Sequence, residues 1–150
     1  MIKIVKTNSK NTDFRDLVTH LNAYLKIVDG DNHEFYNQFN NIDVLHHTII
    51  AYIEEQPLGC GAFKIYNKDS VEIKRMFTKP ETRGKGVATK ILQELENWSR
   101  ELGYNSCILE TGKDLIDAIN FYKKNGYSII PNYGQYKNIT SSVCLKKSYA

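Results

Sequence analysis

Apolar positions recur in two rhythms along this chain. "MIKIV" alternates and predicts a short first strand. In "DFRDLVTHLNAYLKI", Phe14, Leu17, Val18, Leu21 and Leu25 recur every three or four residues. That period predicts a helix with Thr12 or Asp13 as its N-cap. "DNHEFYNQFN" predicts a second, shorter helix with Phe35, Tyr36 and Phe39 on one side. The β-rich runs "HHTIIAYIEE" and "CGAFKIY" predict a hairpin about a turn at "QPLG". After a turn at "KDS", "VEIKRMF" alternates as a strand from Val71 to Phe77.

The helical rhythm returns with an apolar stripe of Ala88, Ile91, Leu92, Leu95, Trp98 and Leu102, and Gly103 stands as its stop. "SCILE" predicts a strand, and "DLIDAINFYKKNG" a helix with Asp114 near its start and Gly126 closing it. "YSII" and "SSVCLKK" predict two more strands, with the aromatic loop "NYGQYKNIT" between them. The order β-α-α-β-β-β-α-β-α-β-β predicts an α+β fold, a mixed sheet with helices on its faces. Residues 1–150 are expected to form a single domain.

Composition narrows the function classes. At 150 residues the chain can bury roughly two thirds of its unfolded surface in one core. Net charge is +3 with no long cationic run, which gives no case for nucleic acid or an anionic membrane. No apolar run approaches the ~20 residues of a membrane span, and the first residues lack the apolar core of a secretory signal. A cytoplasmic location is expected. Cys60, Cys107 and Cys144 lie in strand-like stretches without CxxC or Cys/His zinc spacing, and read as reduced, buried thiols. His46 and His47 form a pair with no further ligands at metal spacing, so no metal is expected.

The chemistry starts at "KPETRGKGVATKIL", where Arg83, Gly84, Lys85 and Gly86 run straight into a helix. A helix N-terminus presents unpaired amides and about half a positive charge, and glycine lets an anion approach closely. Arg83 and Lys85 add a fork of donors and a point charge. The stretch Arg83–Thr89 therefore reads as a phosphate or pyrophosphate cradle, against the bland alternative of a tight turn with solvated cations. A P-loop pattern is absent. A dinucleotide fingerprint is incomplete, since Thr89 stands where the third glycine belongs, although Glu110 mimics the ribose-binding acid. Thr78–Thr82, including Pro80, also separate the strand from the glycines, where a dinucleotide turn is tight.

The pattern R-x-x-G-x-[GA] is present as Arg83-Gly84-Lys85-Gly86-Val87-Ala88. Here the chain resembles the GNAT (Gcn5-related) N-acetyltransferases, whose loop of this form holds the coenzyme A pyrophosphate. "DAINFYKKNGY" resembles that family's second motif through Ala118, Phe121, Tyr122, Gly126 and Tyr127. The predicted element order is the family order, so the resemblance covers most of the chain. Thr82 stands where many members carry Gln.

The resemblance implies acetyl-CoA as cosubstrate. It assigns the cradle to Arg83, Gly84, Lys85, Gly86, Val87, Ala88 and Thr89. It implies a bulge in the preceding strand that frees main-chain groups at Met76, Phe77 and Thr78 for the pantetheine arm and acetyl carbonyl. Tyr122 matches the family's general acid for the leaving thiolate, and Asn120 a residue bonding the pantetheine arm. For the general base, Glu72 and Glu110 both remain open, as does a water chain. Tyr133 and Tyr136 either wall the acceptor pocket or pack the sheet edge.

The expected function is acetyl-CoA-dependent N-acetyl transfer to a primary amine of a small molecule or peptide, by direct attack in a ternary complex. Two alternatives stand beside it: a non-catalytic acetyl-CoA-binding or interaction protein of the same fold, and a dinucleotide-binding domain using Gly84, Gly86 and Glu110. The resemblance also admits a homodimer. Glu54, Glu55, Glu72 and Glu110 are candidates to attract a cationic amine, but order along the chain does not place them around one pocket.

Overall fold

The computed structural model describes residues 1–29 and 45–149. The elements run β1 (Ile2–Thr7), α1 (Thr12–Asp29), β2 (His47–Ile53), β3 (Gln56–Ile65), β4 (Ser70–Thr78) and a 3-10 turn (Pro80–Thr82). They continue with α2 (Val87–Glu101), β5 (Ser106–Gly112), α3 (Ile116–Lys124), β6 (Ser128–Ile130), a 3-10 turn (Gly134–Tyr136) and β7 (Ser142–Ser148). Neighbouring strands follow the order β1-β2-β3-β4-β5-β7-β6. β4 and β5 run parallel, whereas β1–β2, β2–β3, β5–β7 and β6–β7 are antiparallel. The predicted mixed α+β fold is the observed one. The helix predicted around Phe35, Tyr36 and Phe39 lies outside the described residues.

Two compact units divide the chain, one of residues 1–64 and 73–98, the other of residues 65–72 and 99–150. In the first unit, the period-two alternation of β3 sends Cys60 and Ala62 to one face, where Phe14, Leu17 and Val18 of α1 and Ile50 of β2 pack on them. Burying each of Phe14, Leu17, Val18 and Ile50 stabilises the fold by about 1.5–3 kcal/mol. Gly59 and Gly61 point to the other face, against Val87, Ile91 and Leu95 of α2. This half of the sheet is therefore enclosed between two helices. In the second unit, β7 is inserted between β5 and β6, with Leu109 opposite Leu145 and Glu110 opposite Cys144.

Local details depart from expectation in four places. Asn11, not Thr12 or Asp13, caps α1: its Oδ1 accepts from the amides of Asp13 at 2.8 Å and Phe14 at 3.1 Å. An Asn one residue earlier reaches both N-terminal donors, which the residues after it, already in the first turn, cannot do. The β2–β3 turn falls on Glu54 and Glu55, at φ 49° and 68°, and not on "QPLG"; Pro57 lies inside β3 opposite Tyr52. A two-residue turn with both φ positive matches the right-handed twist of the hairpin, so pairing geometry overrides glutamate's weak turn preference. Leu102 is exposed, whereas Glu96 and Ser99 complete the buried stripe of α2. Asp114 precedes α3, whose N-cap position is Leu115 without a side-chain cap.

Candidate functional site

Burial along β4 is continuous from Ser70 to Arg75, then falls to half-buried at Met76, Phe77 and Thr78. Arg75 has a left-handed backbone, φ 58°, a conformation that costs a non-glycine residue about 1–2 kcal/mol. The strand is thus irregular one residue before Met76. Lys79 N donates to Leu58 O at 2.8 Å and holds the chain as it leaves β4. Buried Thr82 then closes the 3-10 turn, its hydroxyl donating to Lys79 O at 2.7 Å.

Gly84 and Gly86 follow at φ 79° and 75°, and a Cβ built on either meets no atom within 4 Å. Their backbone conformation demands glycine, and the space beside them is open. The first helical bond of α2 runs from Lys90 N to Gly86 O at 3.0 Å. The amides of Val87, Ala88 and Thr89 accordingly lie ahead of the helical ladder. No acidic residue occupies the first turn of α2, and Arg83 and Lys85 are exposed beside it. Unladdered amides, a helix dipole and two cations are together a donor set that suits a pyrophosphate.

The sequence reading missed what aims that helix. A Cβ at Gly61 would lie 2.6 Å from Met76 Sδ and 2.9 Å from Ile91 Cγ2 and Leu95 Cδ1. A Cβ at Gly59 would lie 2.9 Å from Ile91 Cδ1. The alternating glycines of "LGCGAF" let α2 sit directly on β3, and that alternation was the signal available. Arg75 was also missed: two successive cations on a strand suggest one solvent-facing residue, yet Lys74 and Arg75 are both buried. The Arg75 guanidinium donates through Nη2 to Asn22 Oδ1, while its buried Nε has no partner among the described residues.

In the second unit, Glu72 and Tyr133 meet: Tyr133 Oη donates to Glu72 Oε2 at 2.5 Å. Glu72 is only 2% exposed. Tyr133 packs edge-on against Tyr66 at 5.2 Å and Tyr136 at 5.9 Å between ring centroids. Burial, then the charges of Glu110 and Glu72, raise the Tyr136 phenol. Burial and Glu72 raise that of Tyr133. Ser142 Oγ donates to Glu110 Oε2 at 2.6 Å, and burial pushes the neighbouring Cys144 thiol up to about 11. The structure thus gathers Glu72, Glu110, Tyr133 and Tyr136 into one aromatic and acidic cluster. Glu54 and Glu55 form the β2–β3 turn of the first unit.

Tyr122 is buried on α3 between Phe121, at 5.2 Å, and Tyr127, at 5.6 Å. Burial raises its phenol above the ordinary tyrosine value, so the group holds its proton throughout the neutral range. Asn120 is exposed on the same helix. His47 stacks on Phe63 at 4.7 Å and meets Trp98 edge-on at 5.0 Å; burial lowers its pKa. It serves as a packed aromatic. Among the described residues, no group of three or more His, Cys, Asp or Glu side chains is placed to hold a metal. Among the same residues no helix is long and apolar enough to cross a membrane.

The sequence model of the "Acetyltransferase (GNAT) family" matches residues 14–127, a stretch holding both the cradle and Tyr122. The chain belongs to the GNAT acetyltransferase family. It is 32% identical over 91 residues to an IAA acetyltransferase of Azospirillum brasilense, covering 60% of each chain. The matches span 47–60% of the length of three curated relatives. In fold it is similar to a provisionally named acyl-CoA N-acyltransferase of Klebsiella pneumoniae, with TM-score 0.82 and 24% identity over 99% of this chain and 97% of that one. It is likewise similar to the PaiA N-acetyltransferase of Thermoplasma acidophilum in complex with coenzyme A, with TM-score 0.73 and 20% identity over 99% of each chain. The GNAT fold accounts for the element order and for the strand–loop–helix that carries the cradle.

Proposed function

We propose that the protein is an acetyl-CoA-dependent N-acetyltransferase acting on a primary amine of a small molecule or peptide. The observation that carries this reading is the cradle at the start of α2, in a chain of the GNAT family: Gly84 and Gly86 left-handed, the space beside them open, and Arg83 and Lys85 exposed next to unladdered amides. Arg83, Gly84, Lys85, Gly86, Val87, Ala88 and Thr89 hold the pyrophosphate. The half-buried Met76, Phe77 and Thr78 face the pantetheine arm and thioester, with Asn120 as a further contact to that arm.

When bound, acetyl-CoA supplies an acetyl thioester, so attack by the amine forms a C–N bond as the C–S bond breaks. An alkylammonium, with a pKa near ~10.4, first loses a proton to become nucleophilic. Glu72 or Glu110, directly or through water, accepts it. Tyr122 gives its phenolic proton to the departing thiolate and is reprotonated, directly or through water, by the proton that the attacking nitrogen sheds on becoming an amide. Half-buried Tyr133 lines the acceptor position, and Tyr136, 2% exposed, packs behind it. The three cysteines are buried, and burial pushes Cys60 up to about 12, so the transfer proceeds directly and without an acetyl-cysteine.

Calorimetric titration with acetyl-CoA, with NAD in parallel, tests the cradle, and thiol release across an amine panel tests turnover. Micromolar binding of acetyl-CoA alone, followed by amine-dependent thiol release, is expected. Absence of acetyl-CoA binding removes the reading. Binding without turnover of any amine leaves a non-catalytic binder of the same fold.

A further inference from the structure

Arg75 stands out among the buried side chains of the first unit. It is 7% exposed, its backbone is left-handed at φ 58°, and its Nε finds no hydrogen-bond acceptor among the described residues. Its side-chain partner is Asn22 of α1, which accepts from Nη2 through Oδ1 and so keeps its own NH2 as a donor. Among the described residues no carboxylate is paired with it. The adjacent Cys60 is itself buried, and its thiol is pushed up to about 12, so it supplies no anion at neutral pH. A guanidinium taken out of water with one neutral partner is costly to the fold. Five donors in a planar fork, with one that meets no acceptor among the described residues, complement a carboxylate.

Arg75 immediately precedes Met76, Phe77 and Thr78, the residues proposed above to face the acetyl thioester. These lie one to three residues further along β4, roughly 3–10 Å at the rise of a strand. That is the span between the amine and the carboxylate of one small molecule. Resting on the transferase reading, we infer that Arg75, with Asn22, binds the carboxylate of the acceptor, so that the acceptor class is amino acids and not simple amines.

The test is a calorimetric titration with N-acetyl-L-amino acids, the expected product class, against their carboxamides. It is run on the coenzyme A-saturated protein and again without coenzyme A, so that it reads Arg75 whether or not the cofactor reading stands. At least one N-acetyl amino acid is expected to bind about 100-fold more tightly than its carboxamide, the size of a charged contact to a buried partner. Arg75→Met is expected to abolish that preference, and Asn22→Ala to weaken it about tenfold with the arginine still in place. Urea midpoints establish that each variant is folded, and Arg75→Gln, which removes the charge but keeps a polar side chain, is the fallback should Arg75→Met unfold. In turnover, the loss on an amino acid acceptor should exceed the loss on its decarboxylated amine by at least 30-fold. Equal binding of carboxylate and carboxamide, no binding of any N-acetyl amino acid, or a preference that survives in the Arg75 variants would overturn the assignment. Loss of acetyl-CoA binding by the unmodified protein would instead count against the transferase reading.

Discussion

Tyr133 Oη donates a 2.5 Å hydrogen bond to Glu72 Oε2, joining residues 61 positions apart in the chain. The bond ties the aromatic loop before β7 to the N-terminal half of β4 within the second unit. A buried carboxyl that loses such a donor destabilises the fold by about 1–3 kcal/mol. Urea unfolding of Tyr133→Phe, Glu72→Gln and the double variant should show that cost in each single variant and a coupling above about 1 kcal/mol. Additive effects would mean that the contact contributes nothing of its own.

Gly84 and Gly86 sit at φ 79° and 75° with open space beside them. Gly84→Ala should cost about 1–2 kcal/mol through backbone strain. Gly86→Leu adds bulk to the open face, and should raise the acetyl-CoA dissociation constant at least ~10-fold by blocking approach to the helix amides. An unchanged constant by calorimetry would show that the anion is held elsewhere.

Tyr122 is the proposed acid. Tyr122→Phe should lower kcat about 100-fold or more, the usual contribution of a positioned acid. Acetyl-CoA affinity should stay within about threefold, because the lost proton matters only as the thiolate leaves. Equal losses in affinity and kcat would make Tyr122 a packing residue between Phe121 and Tyr127.

Gly61 decides how closely α2 approaches β3. Gly61→Ala brings its Cβ to 2.6 Å from Met76 Sδ and 2.9 Å from Ile91 Cγ2 and Leu95 Cδ1. The cost should be about 1–3 kcal/mol in urea unfolding. Met76→Ala in the same chain should recover only part of it, since the thioether yields easily but the Ile91 and Leu95 contacts remain.

Alkaline pH should destabilise the protein. Cys144 is raised to about 11, Cys60 and Tyr52 to about 12, and Tyr122, Tyr133 and Tyr136 are raised as well, each chiefly by burial. Free thiols ionise near ~8.5 and free tyrosines near ~10. Above those values the unfolded chain has lost protons that the native chain still holds, so stability falls as pH rises. The urea midpoint should drop between pH 8.5 and 11, first through the thiols and then more steeply through the tyrosines. A flat midpoint over that range would contradict burial of these groups.

The chain's apolar periods by themselves determined the seven strands, the α1 and α2 stripes and the stop at Gly103, because strand and helix faces are read locally at periods of 2 and 3.6. The Gly84–Gly86 turn was legible for the same reason: positive φ is a property of single residues. Capping and turn positions were less legible, since Asn11 displaced Thr12 and Glu54–Glu55 displaced "QPLG" through hydrogen-bond and twist geometry spread over several residues. Only the tertiary structure decided that Glu72 meets Tyr133, that Gly61 admits α2, and that Arg75 is buried on Asn22 with a donor left over. Those pairings join segments far apart in the chain, and no local pattern records which distant partner a side chain meets once two elements pack.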